Sequence, residues 1–150
     1  MTTSKASNPK AAIGSDKLPL HLWPATATAM GSIGLLNGML KYGRTNWRPA
    51  GARASTYNDA CKRHLEAWFE GEEIDPDDGV PHLAAAIACL AILIDAQACG
   101  VLEDDRMVAG RYRAMVDSLT PHVARLKAVH AHRDPHHFTI ADNQGEAHGI

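Results

Sequence analysis

From its first apolar run onward, the chain repeats its hydrophobic positions every three to four residues, the period of an amphipathic helix. Met30, Ile33, Leu36 and Leu40 set this rhythm over residues 25–40, directly behind Pro24. Gly31, Gly34 and Gly38 lie three and four apart on the same predicted helix and so share one side. A glycine costs about 1 kcal/mol against alanine in a helix interior, and three on one side predict a second backbone packed very close. Ahead of this helix, residues 18–24 contain two prolines and read as an extended lead-in. A loop over 41–51 follows, closed by Pro49 and Gly51. Ser55 is placed to cap a second helix that runs to Phe69 or Glu73, and residues 75–79 (DPDDG) are turn chemistry. A third helix is predicted from Pro81 to Cys99, stopped by Gly100 and apolar nearly all round, as the central helix of a bundle must be. A fourth begins at Glu103 or Asp104 and ends near Leu119, where Pro121 breaks it, and a shorter one spans His122 to His132. No strand-like run competes. The pattern predicts an all-α, four- to five-helix bundle over 18–133, with a flexible arm over 1–17 and a mobile tail over 134–150.

Composition narrows the class. In 150 residues, a hydrophobic share of 45% is enough for the core of one domain. A formal net charge of −2 argues against lasting contact with nucleic-acid phosphates, so no stable nucleic-acid binding is expected. Cys61, Cys89 and Cys99 form no CxxC pair and read as small buried hydrophobes of a reducing cytoplasm. The longest apolar stretch, 83–96, is interrupted by Asp95 and is too short to cross a bilayer. The first fourteen residues contain no apolar core of a secretion signal. A cytoplasmic location without membrane partners is expected.

Polar groups at core-facing positions locate the candidate chemistry. On the second predicted helix, Glu66, Glu70 and Glu73 share a side with Lys62, near Arg63, and read as a solvated charged face. His64, Trp68, Glu72 and, if the helix persists, Asp75 fall on the other side, flanked by Cys61, Leu65 and Phe69, and that side faces the core. A charge pointed inward must be paired, hydrogen-bonded or ligated to a metal. The short acidic turn brings the end of this helix beside the start of the next, so Glu72, Asp75, Asp78 and His82 can converge. Carboxylates with one or two imidazoles and no thiolate suit Mg²⁺ or Mn²⁺. The alternative is a solvated turn in which His82 merely tops a helix. Asp95, alone in an apolar helix, is expected to be buried and paired with Arg111 or Arg113, or else to serve as a remote ligand or substrate contact. The loop carries Lys41, Arg44 and Arg48 for phosphate oxygens, with Asn46 and with Tyr42 or Trp47 to meet a base. Its other reading is a basic surface loop whose tryptophan plugs the core. It lacks GxxxxGK[ST] spacing, so it is not a P-loop. His130, His132, His136 and His137 either bind metal adventitiously or stay solvated.

Taken together, KYGRTNWR at 41–48, RHLEAW at 63–68, Gly71-Glu72, Asp75 and GVPHL at 79–83 resemble the phage dATP/dGTP diphosphohydrolase family, often met through its N-terminal domain. The resemblance covers roughly residues 8–96. It implies an all-α nucleoside triphosphate pyrophosphatase of the MazG type, which uses divalent cations held by carboxylates on neighbouring helices. It therefore implies a nucleoside triphosphate substrate, specifically a purine deoxynucleotide cleaved to the monophosphate and pyrophosphate, with Mg²⁺ or Mn²⁺ as cofactor. On this reading Glu72 and Asp75 are catalytic, and His64, Glu72, Asp75 and His82 surround the metal. Lys41, Arg44, Asn46, Trp47, Arg48 and Arg63 contact substrate. A homodimer or homotetramer is expected, with the glycine-lined helix as a candidate contact, in a bacterial host cytoplasm if a phage encodes the chain. The chain departs from the MazG pattern of ExxE on one helix and ExxD on the next. Glu70 to Glu73 spans a glycine, and His82 stands where the aspartate would be. The alternatives are a phage protein that binds a nucleotide or a host protein without turnover, and a helical assembly module.

Overall fold

The computed structural model describes residues 17–145 together with Lys10 and Gly14. The expected arm thus lies almost wholly outside the described residues, as do the last five positions of the tail. The chain divides into two compact units, one ending at Glu103 and the other beginning at Asp104. The first contains a 3-10 turn at Leu20–Leu22, where an extended lead-in was expected. Four helices follow: α1 (Ala25–Tyr42), α2 (Trp47–Ala50), α3 (Ala54–Phe69) and α4 (His82–Ala98). The class is all-α, as the periodicity indicates. Among the described residues the β-structure is a two-residue parallel pair, β1 (Ala52–Arg53) with β2 (Leu102–Glu103), and one isolated bridge between Ile74 and Pro81.

Helix α4 is central, packed against α1 on one side and α3 on the other. Its buried positions are Ala84, Ala86, Ala88 and Ala96, with His82 at its start. Small side chains let the neighbours approach closely, and α1 answers with glycine. A Cβ built on Gly34 would fall on the Ala84 carbonyl, and one on Gly31 would meet the Ile87 side chain. The close packing expected of the glycine side is therefore present at Gly31 and Gly34, within one chain. Nothing lies within 4 Å of a Cβ at Gly38.

Helix α3 begins earlier than expected. Arg53, extended at φ −80° and ψ 127°, takes the capping position without a side-chain bond, and Ser55 lies inside the helix. The helix stops at Phe69 because Gly71 turns left-handed, with φ +99°. The amide of Gly71 then reaches the Trp68 carbonyl and that of Glu72 the Ala67 carbonyl, a Schellman closure. Leu65 and Phe69, expected in the core, are exposed, Phe69 at 78%. Of the cysteines, Cys61 is buried, Cys89 half-buried and Cys99 exposed, so the expectation of three buried thiols fails at Cys99.

The second unit holds α5 (Tyr112–Val129) and a 3-10 helix at Ile140–Gly145. The expected start at Glu103 or Asp104 is overturned. Glu103 pairs into β2, and Asp104 folds back on Arg106, bonding its guanidinium at 2.7 and 2.6 Å and its amide at 3.3 Å. Nor does Pro121 break the helix; it sits inside α5, so the two expected helices are one. Eighteen residues of helix carry the single amide that proline removes. Within the expected tail, His136 bonds Asp142 at 2.9 Å and stacks edge-on against Phe138. Among the described residues no helix is long and apolar enough to cross a membrane.

Candidate functional site

The seam between α3 and α4 is closed by a tied turn. The His82 amide donates to the Glu73 carbonyl at 3.1 Å, the Asp75 amide to Val80 at 2.9 Å, and the Gly79 amide to Asp75 at 2.8 Å. The Asp75 carboxylate accepts from the Asp77 amide at 3.0 Å, an Asx turn. These bonds hold Asp75 over the start of α4. His64, on α3, reaches the same place from the other helix.

The imidazoles of His64 and His82 meet there, Nδ1 to Nδ1, at 3.0 Å. On its far side His82 Nε2 lies 2.8 Å from Glu72 Oε1. A carboxylate only accepts, so the Nε2 proton of His82 belongs to that bond, and in the neutral ring Nδ1 is then the lone-pair nitrogen, turned toward His64. His82 is 4% exposed, so the lone pair is shielded from water. Burial, then the neighbouring His82, push the His64 pKa down, which favours the neutral ring that a metal requires. His64, Asp75 and His82 each present one ligand atom, and these atoms lie within 4.8 Å of one another. Two imidazole nitrogens and a carboxylate oxygen, at least one nitrogen oriented from behind by a carboxylate, fit a divalent cation.

Three of the four expected ligands thus converge. Glu72 does so differently: it stands on the outer nitrogen of His82, outside the group of mutually close donor atoms. Helix phase does not place Glu72 or Asp75, since α3 ends before both. Asp78 turns away and accepts from Lys41 at 2.8 Å, Asn37 at 2.7 Å and the Val80 amide at 3.1 Å. These partners, Lys41 first, hold the Asp78 carboxyl down at about 2.

The loop residues are dispersed. Lys41 remains beside the turn through Asp78. Arg48 grips Asp95 with two bonds of 2.9 Å, and the Trp47 indole donates to the same carboxylate at 2.7 Å. The expected partners Arg111 and Arg113 are replaced by Arg48 and Trp47, and Asp95 is half-buried rather than buried. Asp95 lies thirteen residues along α4 from His82, about 20 Å at the helical rise. Arg48 and Trp47 are therefore not brought to the histidine cluster. Asn46 precedes α2, half-buried, and Arg63 is exposed on α3 next to His64. Arg44 lines a cavity of about 330 Å³ with Ser32, Leu35, Leu36, Met39, Thr45 and Trp47. Asn37 was not singled out in the sequence, though its spacing of four from Lys41 puts both on one side of α1.

The family model described as dATP/dGTP diphosphohydrolase, N-terminal, matches residues 7–106. The chain belongs to this family. The diphosphohydrolase match ends three residues beyond the first structural unit and takes in the histidine cluster, both arginine–tryptophan positions of the loop and the whole of α4. Comparison with curated proteins and comparison with solved structures each return no match.

Proposed function

We propose that the chain hydrolyses purine deoxynucleoside triphosphates, dATP or dGTP, to the monophosphate and pyrophosphate at the α3–α4 seam. The observation that carries this reading is the buried His82, held by Glu72 on one nitrogen and facing His64 and Asp75 with the other. A mixed nitrogen and oxygen set of this kind favours Mn²⁺ over Mg²⁺. A divalent cation held by His64, Asp75 and His82 would supply Lewis acidity toward a phosphoryl oxygen and a more acidic water.

The chain's own residues supply the rest. Glu72 fixes the tautomer and direction of His82 from behind. Asp75 is held in place through the Asp77 amide. Arg63, exposed beside His64, meets the phosphates, and Lys41 joins it by exchanging Asp78 for a phosphate oxygen. Arg48 and Trp47 act at a distance as structural contacts of Asp95.

The test is turnover of dATP and dGTP with saturating Mn²⁺ in three proteins. Glu72→Gln keeps shape but loses the charge behind His82, and metal affinity or activity should fall about 10- to 100-fold. Glu66→Gln, on the exposed side of α3, should shift stability by no more than about 0.5 kcal/mol and leave turnover intact. Turnover abolished by Glu66→Gln and spared by Glu72→Gln would move the site to the outer carboxylate face of α3. No turnover by the unaltered chain with any divalent cation would leave nucleotide binding without catalysis.

A further inference from the structure

The cavity beside the 44–47 segment is not accounted for by the histidine cluster. One wall is α1, through Ser32, Leu35, Leu36 and Met39; the other is Arg44, Thr45 and Trp47. The wall residues of α1 recur at 32, 35, 36 and 39, one helical face. Gly34, Asn37 and Lys41, which touch α4 and Asp78, form the opposite one. The cavity lies between this face of α1 and the 44–47 segment, whose Trp47 is anchored on Asp95 of α4.

Its chemistry is specific. Among the described residues the walls are mostly apolar, with the hydroxyls of Ser32 and Thr45 and no carboxylate. Lys41 and Arg48 are neutralised by Asp78 and Asp95, but no described carboxylate pairs with Arg44. The Trp47 ring is fixed, because its indole nitrogen is bonded to Asp95. A rigid aromatic wall, an apolar floor and one uncompensated guanidinium match a flat ring that carries an anionic group. We infer that this cavity is a second nucleotide site, with the base against Trp47 and the leucines and a phosphate on Arg44.

The nucleotide held there is not the one hydrolysed in the same chain. Asp95, which anchors Trp47, stands about 20 Å along α4 from His82, farther than a base stands from its own α-phosphate. The cavity is thus an effector subsite. Only the ligand class rests on the hydrolase reading; the geometry does not.

The experiment is equilibrium binding of dGTP to the full chain in EDTA, where no divalent cation is free. The unaltered chain should bind one dGTP. Arg44→Ala, an exposed side chain without a carboxylate partner among the described residues, should weaken binding about tenfold or more, the value of one charge-assisted contact. Ser32→Trp should abolish binding by filling the cavity while the circular-dichroism spectrum stays helical. His82→Ala should leave binding in EDTA unchanged. Equal weakening by His82→Ala, equal affinity for inorganic triphosphate, or no binding of dGTP at all would each overturn the inference. Binding that depends on Arg44 in a chain that never turns over dGTP with Mn²⁺ would sink the hydrolase reading and leave this one standing.

Discussion

Asp95 shows how a single carboxylate can be recognised as unusual from sequence and still be given the wrong partner. Its isolation in an apolar helix signals that something must neutralise it. The neutralising groups come from Trp47 and Arg48, nearly fifty residues upstream, through a contact that no local spacing encodes. Arg48 first, then Trp47, pull the Asp95 pKa from 3.8 to about 2. A carboxyl whose folded pKa is depressed binds fewer protons folded than unfolded. Its contribution is complete above 3.8 and is lost as pH falls toward 2. The gap in urea midpoint between the unaltered protein and Asp95→Asn should therefore be constant from neutral pH down to about 4 and close below it. A gap that persists unchanged at pH 2 would show that shape, not charge, makes the contact. The histidine pair was legible for a related reason: His64 and His82 stand at positions where helical phase and turn length already point inward. Glu72 reached the right neighbourhood by another route, through the reversal at Gly71, and its role as a support for His82 was not legible because the phase argument ends with the helix.

Among the elements, α1, α3 and α4 follow from periodicity, and their ends follow from glycines that turn left-handed after the last helical residue. Periodicity failed where side chains competed with the backbone. Asp104 prefers the Arg106 amide and guanidinium to a helix start. It failed again at Pro121, where the rule for helix breakers outweighs its actual effect in a long helix. The glycines of α1 separate two meanings of one residue. Gly34 is a contact: its missing Cβ makes room for the Ala84 carbonyl. Gly38 faces open space and contributes only helix weakness. Gly34→Ala should therefore lower the thermal midpoint sharply, by forcing α1 off α4. Gly38→Ala should stabilise by about 0.5–1 kcal/mol, the propensity difference. Equal effects of the two substitutions in thermal unfolding would refute the close contact of α1 on α4.

At the scale of the whole chain, the two units and the family match agree on one border. Between Glu103 and Tyr112 the backbone is irregular, Met107 and Val108 are almost fully exposed, and Arg106 and Arg111 offer cleavage positions. Brief trypsin treatment should cut first within 104–111 and release an N-terminal fragment that keeps its helical spectrum. Early cuts inside α3 or α4 instead would show that the first unit does not hold together. Within this unit two ties hold the frame: Lys41, in the last turn of α1, on Asp78 of the turn ahead of α4, and Arg48, in the short α2, on Asp95 near the end of α4. Each tie joins a cation in one stretch of sequence to an acid in another, so neither partner can change alone without leaving a charge uncompensated. Over evolutionary time such positions drift as couples. Relatives that lose the lysine at 41 should also lose the aspartate at 78, and the same bookkeeping should link 48 with 95, whatever happens to the chemistry of the histidines. Lys41, Trp47 and Arg48 of the KYGRTNWR signature are then inherited as architecture, and a relative can retain them whatever becomes of its histidine pair.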